Sequence, residues 1–356
     1  MNSPSAITAC QALSITGDKT MLCISVCSRL FKSIAATMLV VGLTAVQAQT
    51  PAGPTRPATV PQGYVITPFG YFHPSCVMHL GNGDEVRQDE NSVRHSNEAY
   101  DRIPVCGYAH YEANGEAVTG DEQGVKRPTI GHAWVEAAAT KSSTSFGYLY
   151  AYWTVPPTPS KNDGQTVFLF PGLEADKDFP VVKGSNVSII QPVLGWNRDY
   201  PSAWGIASWN CCVTGTVFEA PPARVNSGDT ILGYMFDTCS PGTLSCPTWD
   251  IVTWDLTSGK FSELLNTSSF GQTFNWAFAG VLEVYNIVQC GDYPSNGSTS
   301  FYNLGLYDYR FIKIASPAWS VLNAAELAQE KGEPFSGLSP QCGYGGSLPQ
   351  QLILTY

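Results

Sequence analysis

Residues 252–261 read VTWDLTSGKF, two bulky runs joined by a short polar connection, Thr257-Ser258-Gly259. A glycine in a short connection between such runs is typical of a β-hairpin. Similar apolar or alternating runs recur on both sides of it, each bounded by clusters of Gly, Pro, Asn, Asp or Ser. Together the runs cover Tyr148–Val155, Thr166–Phe170, Ser188–Leu194, Ala203–Trp209, Thr230–Phe236, Trp249–Leu256, Phe274–Tyr285 and Phe301–Ile314.

Eight short strands without a long helical period predict an all-β fold, an antiparallel β-sandwich or barrel. We expect the sandwich domain to span residues 141–315, followed by a C-terminal extension, 316–356, with one short helix at 323–331. Residues 49–140 differ in character, since they begin with a Pro-, Thr- and Ala-rich linker and contain all five histidines. We interpret them as a linker followed by a propeptide or an accessory segment.

The composition favours a secreted, β-rich protein. Charged residues make up 13% of the 356 residues and aromatic residues 12%, with 33 Gly and 25 Pro. The formal net charge is −10, whereas a nucleic-acid-binding protein would normally carry a basic stripe. Nucleic acid is therefore not an expected partner.

The N-terminus has the pattern of an export signal. Arg29 and Lys32 precede an apolar stretch at 34–46, and Val46-Gln47-Ala48 suits a signal peptidase. We predict a signal peptide over residues 1–48, with Met21 as an alternative start, and a mature protein that is extracellular or periplasmic. The apolar stretch is too short for a bilayer-spanning helix, so no membrane association is expected after cleavage.

Cysteine usage agrees with export. Three of the 11 Cys fall in the predicted signal peptide, and the even number that remains suggests disulfides. Short-range pairs Cys76–Cys106 and Cys239–Cys246 are the simplest predictions, although eight cysteines allow 105 pairings. No CxxC motif or neighbouring histidine marks a zinc site, and no phosphate- or dinucleotide-binding loop is present, so we expect neither metal nor cofactor.

The positions of the histidines limit the catalytic mechanisms open to the C-terminal part of the chain. Every His precedes residue 133, and the chain has no GxSxG, HExxH or aspartic-protease Asp-Thr-Gly motif. A catalytic C-terminal part would have to act without imidazole. Gln191, in the run 189–196, and Glu283, in the run 276–285, offer an amide and a carboxyl group within aromatic-rich strands.

Seven short motifs, in order over roughly residues 148–312, resemble the glutamic peptidases of the eqolisin family. They are YWTVP at 152–156, IIQ at 189–191, the aromatic strand 204–209, SGDTI at 227–231, LTSGK at 256–260, LEVY at 282–285 and the strand 301–306. The chain departs from the family pattern where Pro192 follows the glutamine and Val284 follows the glutamate.

The resemblance implies a concanavalin-like double sheet with a cleft for a polypeptide substrate. Glu283 would act as general acid/base and Gln191 as oxyanion stabiliser in an acid-active endopeptidase, expected to be a monomer. Aromatic residues and one further acidic residue would contact substrate: Trp153, Trp196, Trp204, Trp209 and Glu174. Residues 49–140 would shield the cleft until acid or proteolysis released them, because histidine gains charge as the pH falls.

Two other functional classes fit the same fold. A non-catalytic carbohydrate-binding module would use the aromatic residues to stack sugars. A glycoside hydrolase or lyase would need Glu283 with a second carboxylate, such as Glu174.

Overall fold

A computed structural model of the chain describes residues 56–87, 91–118, 120–121, 124–125, 133–176, 188–212, 215–331, 342–343 and 351–356. All of them belong to one compact unit, Pro51–Tyr356. The predicted signal peptide lies outside the described residues. None of the helices formed by the described residues has the length and hydrophobicity needed to cross a bilayer.

The first ten strands are short. They are β1 (Val65–Thr67), β2 (Gly70–Phe72), β3 (Val77–His79), β4 (Glu85–Arg87), β5 (Ser92–Arg94), β6 (Tyr100–Arg102), β7 (His110–Tyr111), β8 (Ala117–Val118), β9 (Gly120–Asp121) and β10 (Gly124–Val125).

The later strands are longer. They are β11 (Trp134–Lys141), β12 (Phe146–Thr154), β13 (Thr166–Glu174), β14 (Ile189–Trp196), β15 (Trp204–Cys211), β16 (Val217–Glu219), β17 (Ala223–Val225), β18 (Thr230–Asp237), β19 (Thr248–Asp255), β20 (Phe261–Ser268), β21 (Trp276–Tyr285), β22 (Ser298–Asp308), β23 (Ser320–Asn323) and β24 (Gln351–Thr355). The helix α1 spans Ala324–Lys331, and two 3₁₀ turns lie at Pro74–Cys76 and Cys290–Asp292.

Two large sheets pack face to face and confirm the predicted β-sandwich. The nine-stranded sheet has the order β23-β11-β21-β13-β14-β15-β16-β3, with β17 also paired to β15. The six-stranded sheet has the order β20-β19-β18-β12-β22-β24. Almost all pairs are antiparallel; β3 and β16 run parallel.

Alternation along the strands builds the core between the sheets. On β12, Leu149, Ala151 and Trp153 are fully buried, while the intervening tyrosines are partly exposed. Leu169 on β13 and Leu194 on β14 face them from the nine-stranded sheet. Burial of these side chains is the main stabilising term for such a sandwich.

All eight predicted strands are confirmed, as are the helix near the C-terminus and the hairpin between β19 and β20. The sheets nevertheless extend beyond the predicted limits of 141–315. Strand β11 lies inside the segment predicted as linker and propeptide, and β23 and β24 lie inside the predicted C-terminal extension. These strands were missed because β11 is alanine-rich and β24 is separated from β22 by a long connection.

The cysteines of the described residues form four disulfides. The two short-range predictions, Cys76–Cys106 and Cys239–Cys246, are confirmed. The other pairs are Cys211–Cys212, adjacent in sequence, and Cys290–Cys342.

Residues 56–118, which we call the N-terminal cover, pack on the outer face of the nine-stranded sheet through β1, β2 and β7. Phe69, Tyr71 and Phe72 are buried there among residues of β13, β15 and β21. Strand β3 is hydrogen-bonded to β16, so the cover also supplies the last strand of the sheet. Strands β4 and β5 of the cover pack instead against residues of the six-stranded sheet.

Gly233 on β18 is a point where the two sheets approach closely. A Cβ there would lie 2.6 Å from the Trp153 ring and 2.7 Å from Pro192. We expect Gly233→Ala to lower the free energy of unfolding by about 1–3 kcal/mol through overpacking, measured by denaturant unfolding. Gly107→Ala is the matched control, since a Cβ at Gly107 meets nothing within 4 Å. An unchanged stability for Gly233→Ala would show that the sheets can separate at this point without cost.

Candidate active site

Gln191 lies in the middle of β14, with its side chain on the outer face of the nine-stranded sheet. Ile189 and Val193, two residues away on either side, belong to the apolar cluster on that face. In register, Gln191 is opposite Trp209 on β15, and its Cγ lies 3.6 Å from the position a Cβ would take at Gly172 of β13. The absence of a side chain at Gly172 therefore leaves room beside the amide.

The amide group of Gln191 is fully buried, and among the described residues neither Oε1 nor Nε2 has a hydrogen-bond partner. Burying an unsatisfied amide costs about 1–3 kcal/mol, and such groups are rare in native structures. A leucine would fill the position without this cost. The polar side chain at this position therefore favours a functional role over a structural one.

Glu174 is one carboxyl group that the sheet places near Gln191; Glu219, ion-paired beyond Trp209, is another. Glu174 ends β13, directly opposite Ile189 on one side and Trp276 on the other. Because Ile189 and Gln191 are two residues apart on the same face, Glu174 and Gln191 are diagonal cross-strand neighbours, about 7–8 Å apart. Glu174 is buried. Long side chains can meet across this distance.

Glu283 lies on the same face but farther from Gln191. Its carboxylate accepts hydrogen bonds from Trp134 Nε1 at 2.9 Å and from the Tyr285 hydroxyl at 2.6 Å. The buried Tyr285 hydroxyl has a pKa raised well above its usual value, first by burial and then by the charge of Glu283. The carboxylate therefore faces a phenol that remains protonated.

The register separates the two predicted catalytic residues. Glu283 is opposite Phe168, which is opposite Gly195, four residues beyond Gln191. At about 3.3 Å per residue and about 4.8 Å per strand, the Cα atoms of Gln191 and Glu283 lie about 16 Å apart. A general base must reach the reacting group directly or through one water. The structure does not bring Gln191 and Glu283 close enough for that.

Three of the four predicted substrate-contacting tryptophans lie elsewhere. Trp153, Trp196 and Trp204 are buried in the core between the sheets, on the inward-facing side of their strands. Predicting them as cleft residues was wrong, because aromatic content does not distinguish the two faces of a strand. Trp209 alone of the four lies on the outer face beside Gln191.

An ionic cluster next to Trp209 was not anticipated from the sequence. Glu219, opposite Trp209 in register, accepts from Arg198 at 3.2 Å and contacts His79 of the N-terminal cover at 3.0 Å. Arg198 also pairs with Asp199 at 2.7 Å, and its guanidinium lies 5.2 Å from the centre of the Trp209 ring. No local sequence pattern links residues so far apart in the chain.

Burial sets the protonation of this cluster. Burial raises the pKa of Asp199 to about 7, outweighing the opposing effect of Arg198, and nearby Glu219 raises it further. The hydrogen bond to Glu219 raises the pKa of His79. The cluster contains two carboxyl groups but only one arginine. His79 supplies a second cation that offsets their negative charge.

The N-terminal cover occupies the space above this face. The Phe69 ring packs edge-on against Trp209 with centroids 6.2 Å apart, and Tyr71 packs against Tyr285 at 5.5 Å. The Tyr71 hydroxyl also donates to Asn286 Oδ1 at 3.0 Å. In this form Gln191 is closed off from solvent.

The described residues include one group with metal-ligand chemistry close enough to share an ion, Asp237 with Cys239 and Cys246. The two sulfurs are joined to each other in a disulfide, so they are not available as thiolate ligands. The acidic groups beside Trp209 are instead ion-paired with Arg198 and His79.

No family model matches the sequence, and no curated protein matches it. Among solved structures, scytalido-glutamic peptidase with a peptide-based transition-state analogue aligns over 63% of this chain and 98% of its own, with 14% identity and a TM-score of 0.41. SCP-B, an eqolisin-family peptidase in complex with a tripeptide, aligns over 51% of this chain and 82% of its own, with 17% identity and a TM-score of 0.33. Scores below 0.5 at such identities assign neither family nor activity.

Proposed function

We propose that this chain is a secreted, acid-active endopeptidase in which Gln191 stabilises the oxyanion. The observation that carries the proposal is the unpartnered, fully buried amide of Gln191 beside a buried carboxyl group. The motif order that resembles the glutamic peptidases and the four disulfides, which are typical of exported proteins, support it.

In the proposed reaction, a carboxylate removes a proton from a water molecule as the water oxygen attacks the peptide carbonyl carbon. The carbonyl oxygen becomes negatively charged and accepts a hydrogen bond from Gln191 Nε2. The carboxyl group then gives its proton to the amide nitrogen as the C–N bond breaks, releasing the amine. No cofactor is needed for the balance of atoms and charge.

We assign the acid/base role to Glu174 in place of Glu283, which the family resemblance favoured. Glu174 is a diagonal neighbour of Gln191, whereas Glu283 lies two strands and four residues away. Glu283 instead fixes Trp134 and Tyr285 through its two hydrogen bonds. Glu283 thus holds these two side chains in position on the same face of the sheet.

An extended polypeptide is the substrate class that fits the face. The N-terminal cover already lies there as short strands, with Phe69 against Trp209 and Tyr71 against Tyr285. Aromatic side chains of a bound polypeptide could take the same positions once the cover is displaced.

The class of reaction is tested by incubating the purified chain in acid with a reduced, alkylated protein and, separately, with polysaccharides. We expect internal peptide bonds to be cleaved and the polysaccharides to remain intact. Depolymerisation of a polysaccharide without peptide cleavage would instead favour the glycoside hydrolase alternative.

We further propose that the N-terminal cover inhibits the enzyme until acid displaces it. His110 of the cover stacks on Phe72 with ring centroids 4.7 Å apart, and its Nε2 is buried without a hydrogen-bond partner among the described residues. Burial lowers the pKa of His110 to about 4. Phe72 also belongs to the cover, so the folded cover holds this imidazole neutral.

The sign of the pH effect follows from this shift. A released His110 binds a proton below its ordinary pKa of 6.5, while the docked one stays neutral down to about 4. We propose that release unfolds the cover, so the docked form is weakened as the pH falls through this interval, by up to about 3 kcal/mol. The raised pKa values of His79 and His95 act in the opposite sense, since their ion pairs are present in mild acid and are lost as the pH rises.

His110→Phe should keep the cover docked at lower pH, because the stacking on Phe72 remains and no proton can be taken up. The measurement is hydrogen exchange of peptides covering β2 and β3 between about pH 7 and pH 4. We expect the midpoint of deprotection to move to lower pH by about one unit or more. His73→Phe is the matched control, since His73 stacks on Tyr108 at the same segment's surface. Identical midpoints for His110→Phe and the wild type would contradict the role of His110.

A further inference from the structure

The outer face of the six-stranded sheet carries a continuous group of tyrosines on the opposite side of the sandwich from Gln191. Along β12, the inward residues are buried and the outward ones are partly exposed. The register places tyrosines of β18 and β22 beside them. We call this group the tyrosine face; its members are Tyr148, Tyr150, Tyr152, Tyr234, Tyr302 and Tyr307.

The rings of the tyrosine face follow one another at nearly regular intervals. Along β12 the ring centroids are 5.3 Å apart from Tyr148 to Tyr150 and 6.2 Å apart from Tyr150 to Tyr152. Across the strands, Tyr152 and Tyr302 stack with centroids 6.0 Å apart. Gly305, opposite Tyr150, is required here because any side chain would collide with the Tyr150 ring.

The charged side chains on the six strands are all carboxyl groups, and Lys313 lies at the end of the face, bridged to Tyr307. The six strands contain no Lys, Arg or His over their described lengths. Two carboxyl groups, Asp250 on β19 and Glu263 on β20, lie beside Tyr234, and burial raises the pKa of both. An acidic partner would be repelled, whereas hydroxyl or amino groups would find acceptors.

Exposed aromatic side chains continue to the edge of the same sheet. Trp254 is 40% exposed and Phe261, opposite it in register, is 46% exposed. A contiguous aromatic surface of this kind on a soluble protein marks an interaction site. The central strands have a neighbouring strand on both sides, so a peptide could add to this sheet as a strand only at its edges.

We propose that the tyrosine face binds an extended polysaccharide that lacks acidic groups. Pyranose rings would stack on Tyr148, Tyr150 and Tyr152, whose spacing is close to the length of one sugar unit in an extended β-linked chain. Hydroxyl or amino groups at the edge of the glycan would donate to Asp250 and Glu263. The charge of the face selects among glycans: a cationic chain binds more tightly than a neutral one, and an anionic chain does not bind.

The test measures binding of the full-length chain at neutral pH to a soluble β-1,4-glucan, to deacetylated chitin and to polygalacturonate. We expect binding to the first two and none to the third. The double variant Tyr150→Ala/Tyr234→Ala should weaken glucan binding about tenfold. Tyr100→Ala, which removes a tyrosine that is 51% exposed on the N-terminal cover, should bind as the wild type does.

A second readout does not depend on the variants remaining folded. Nitration of tyrosines in the wild-type chain, mapped by mass spectrometry, should be reduced at the tyrosine face by soluble gluco-oligosaccharide and unchanged at Tyr100. The proposal is overturned if no glycan binds, if protection is absent, or if polylysine binds and glycans do not. It is also overturned if the chain self-associates and the double variant is monomeric, because the face would then join two copies.

Discussion

Gln191→Leu is expected to lower kcat for peptide hydrolysis by about 10²–10³ and at the same time to make the protein more stable. The loss of rate follows from removing the oxyanion donor. The gain of about 1–3 kcal/mol in the free energy of unfolding follows from replacing a buried amide that has no partner among the described residues with an apolar side chain of similar size. A side chain that lowers the free energy of unfolding but raises kcat has a functional role.

Gln165→Leu provides the matched control, because Gln165 is also fully buried but is satisfied on both sides of its amide. Its Nε2 donates to the carbonyl oxygens of Lys161 at 2.6 Å and Asp292 at 3.1 Å, and its Oε1 accepts from the Asp163 N–H at 2.8 Å. We expect Gln165→Leu to lose stability and to keep its kcat. If Gln191→Leu behaves like Gln165→Leu in both measurements, the amide of Gln191 is structural.

Glu174→Gln is expected to lower kcat by about 10²–10⁴, since a neutral amide can neither accept nor return the proton. The substitution keeps the size of the side chain, so the fold should be retained. The measurement is the pH dependence of kcat, in which the wild type should show an acidic optimum governed by a carboxyl group. The residual activity of the variant should lack that dependence.

Glu283→Gln distinguishes the two carboxyl groups. An amide at this position can still accept a hydrogen bond from Trp134, so the position of the Trp134 side chain is retained in part. We expect a smaller loss of kcat than for Glu174→Gln, with the shape of the pH profile preserved. A larger loss for Glu283→Gln, together with a nearly normal Glu174→Gln, would return the acid/base role to Glu283.

The sandwich could be predicted from the sequence because its signals are local. The turn around Gly259 and the alternation along β12 each report the conformation of neighbouring residues. Strand β11 was not predicted, because its alanine-rich sequence is buried over most of its length and does not alternate.

The site was only partly predictable, because it depends on register between strands distant in sequence. The choice of Gln191 as the amide could be made from its strand. The choice between Glu174 and Glu283 could not, since it depends on which residues of β13, β14 and β21 lie opposite one another. The contact of His79 with Glu219 likewise joins residues 140 positions apart by number, and no short motif encodes it.

Shielding of the cleft by residues 49–140 was expected from the clustering of histidines, and the proposed release of the N-terminal cover gives it a more specific basis. We propose that His110, whose pKa burial lowers, makes docking sensitive to acid, while His79 stabilises docking in mild acid. Clustering alone could not have shown that the two residues act in opposite directions.

The most direct test of the account is the rate at which the wild-type chain hydrolyses internal bonds of an unfolded protein between about pH 3 and pH 7, with hydrogen exchange reporting release of the N-terminal cover at each pH. We predict that cleavage appears as the cover is released, increases toward acid pH, and is reduced about a hundredfold or more in Gln191→Leu. Absence of cleavage at every pH at which the cover is released would contradict the proposed endopeptidase.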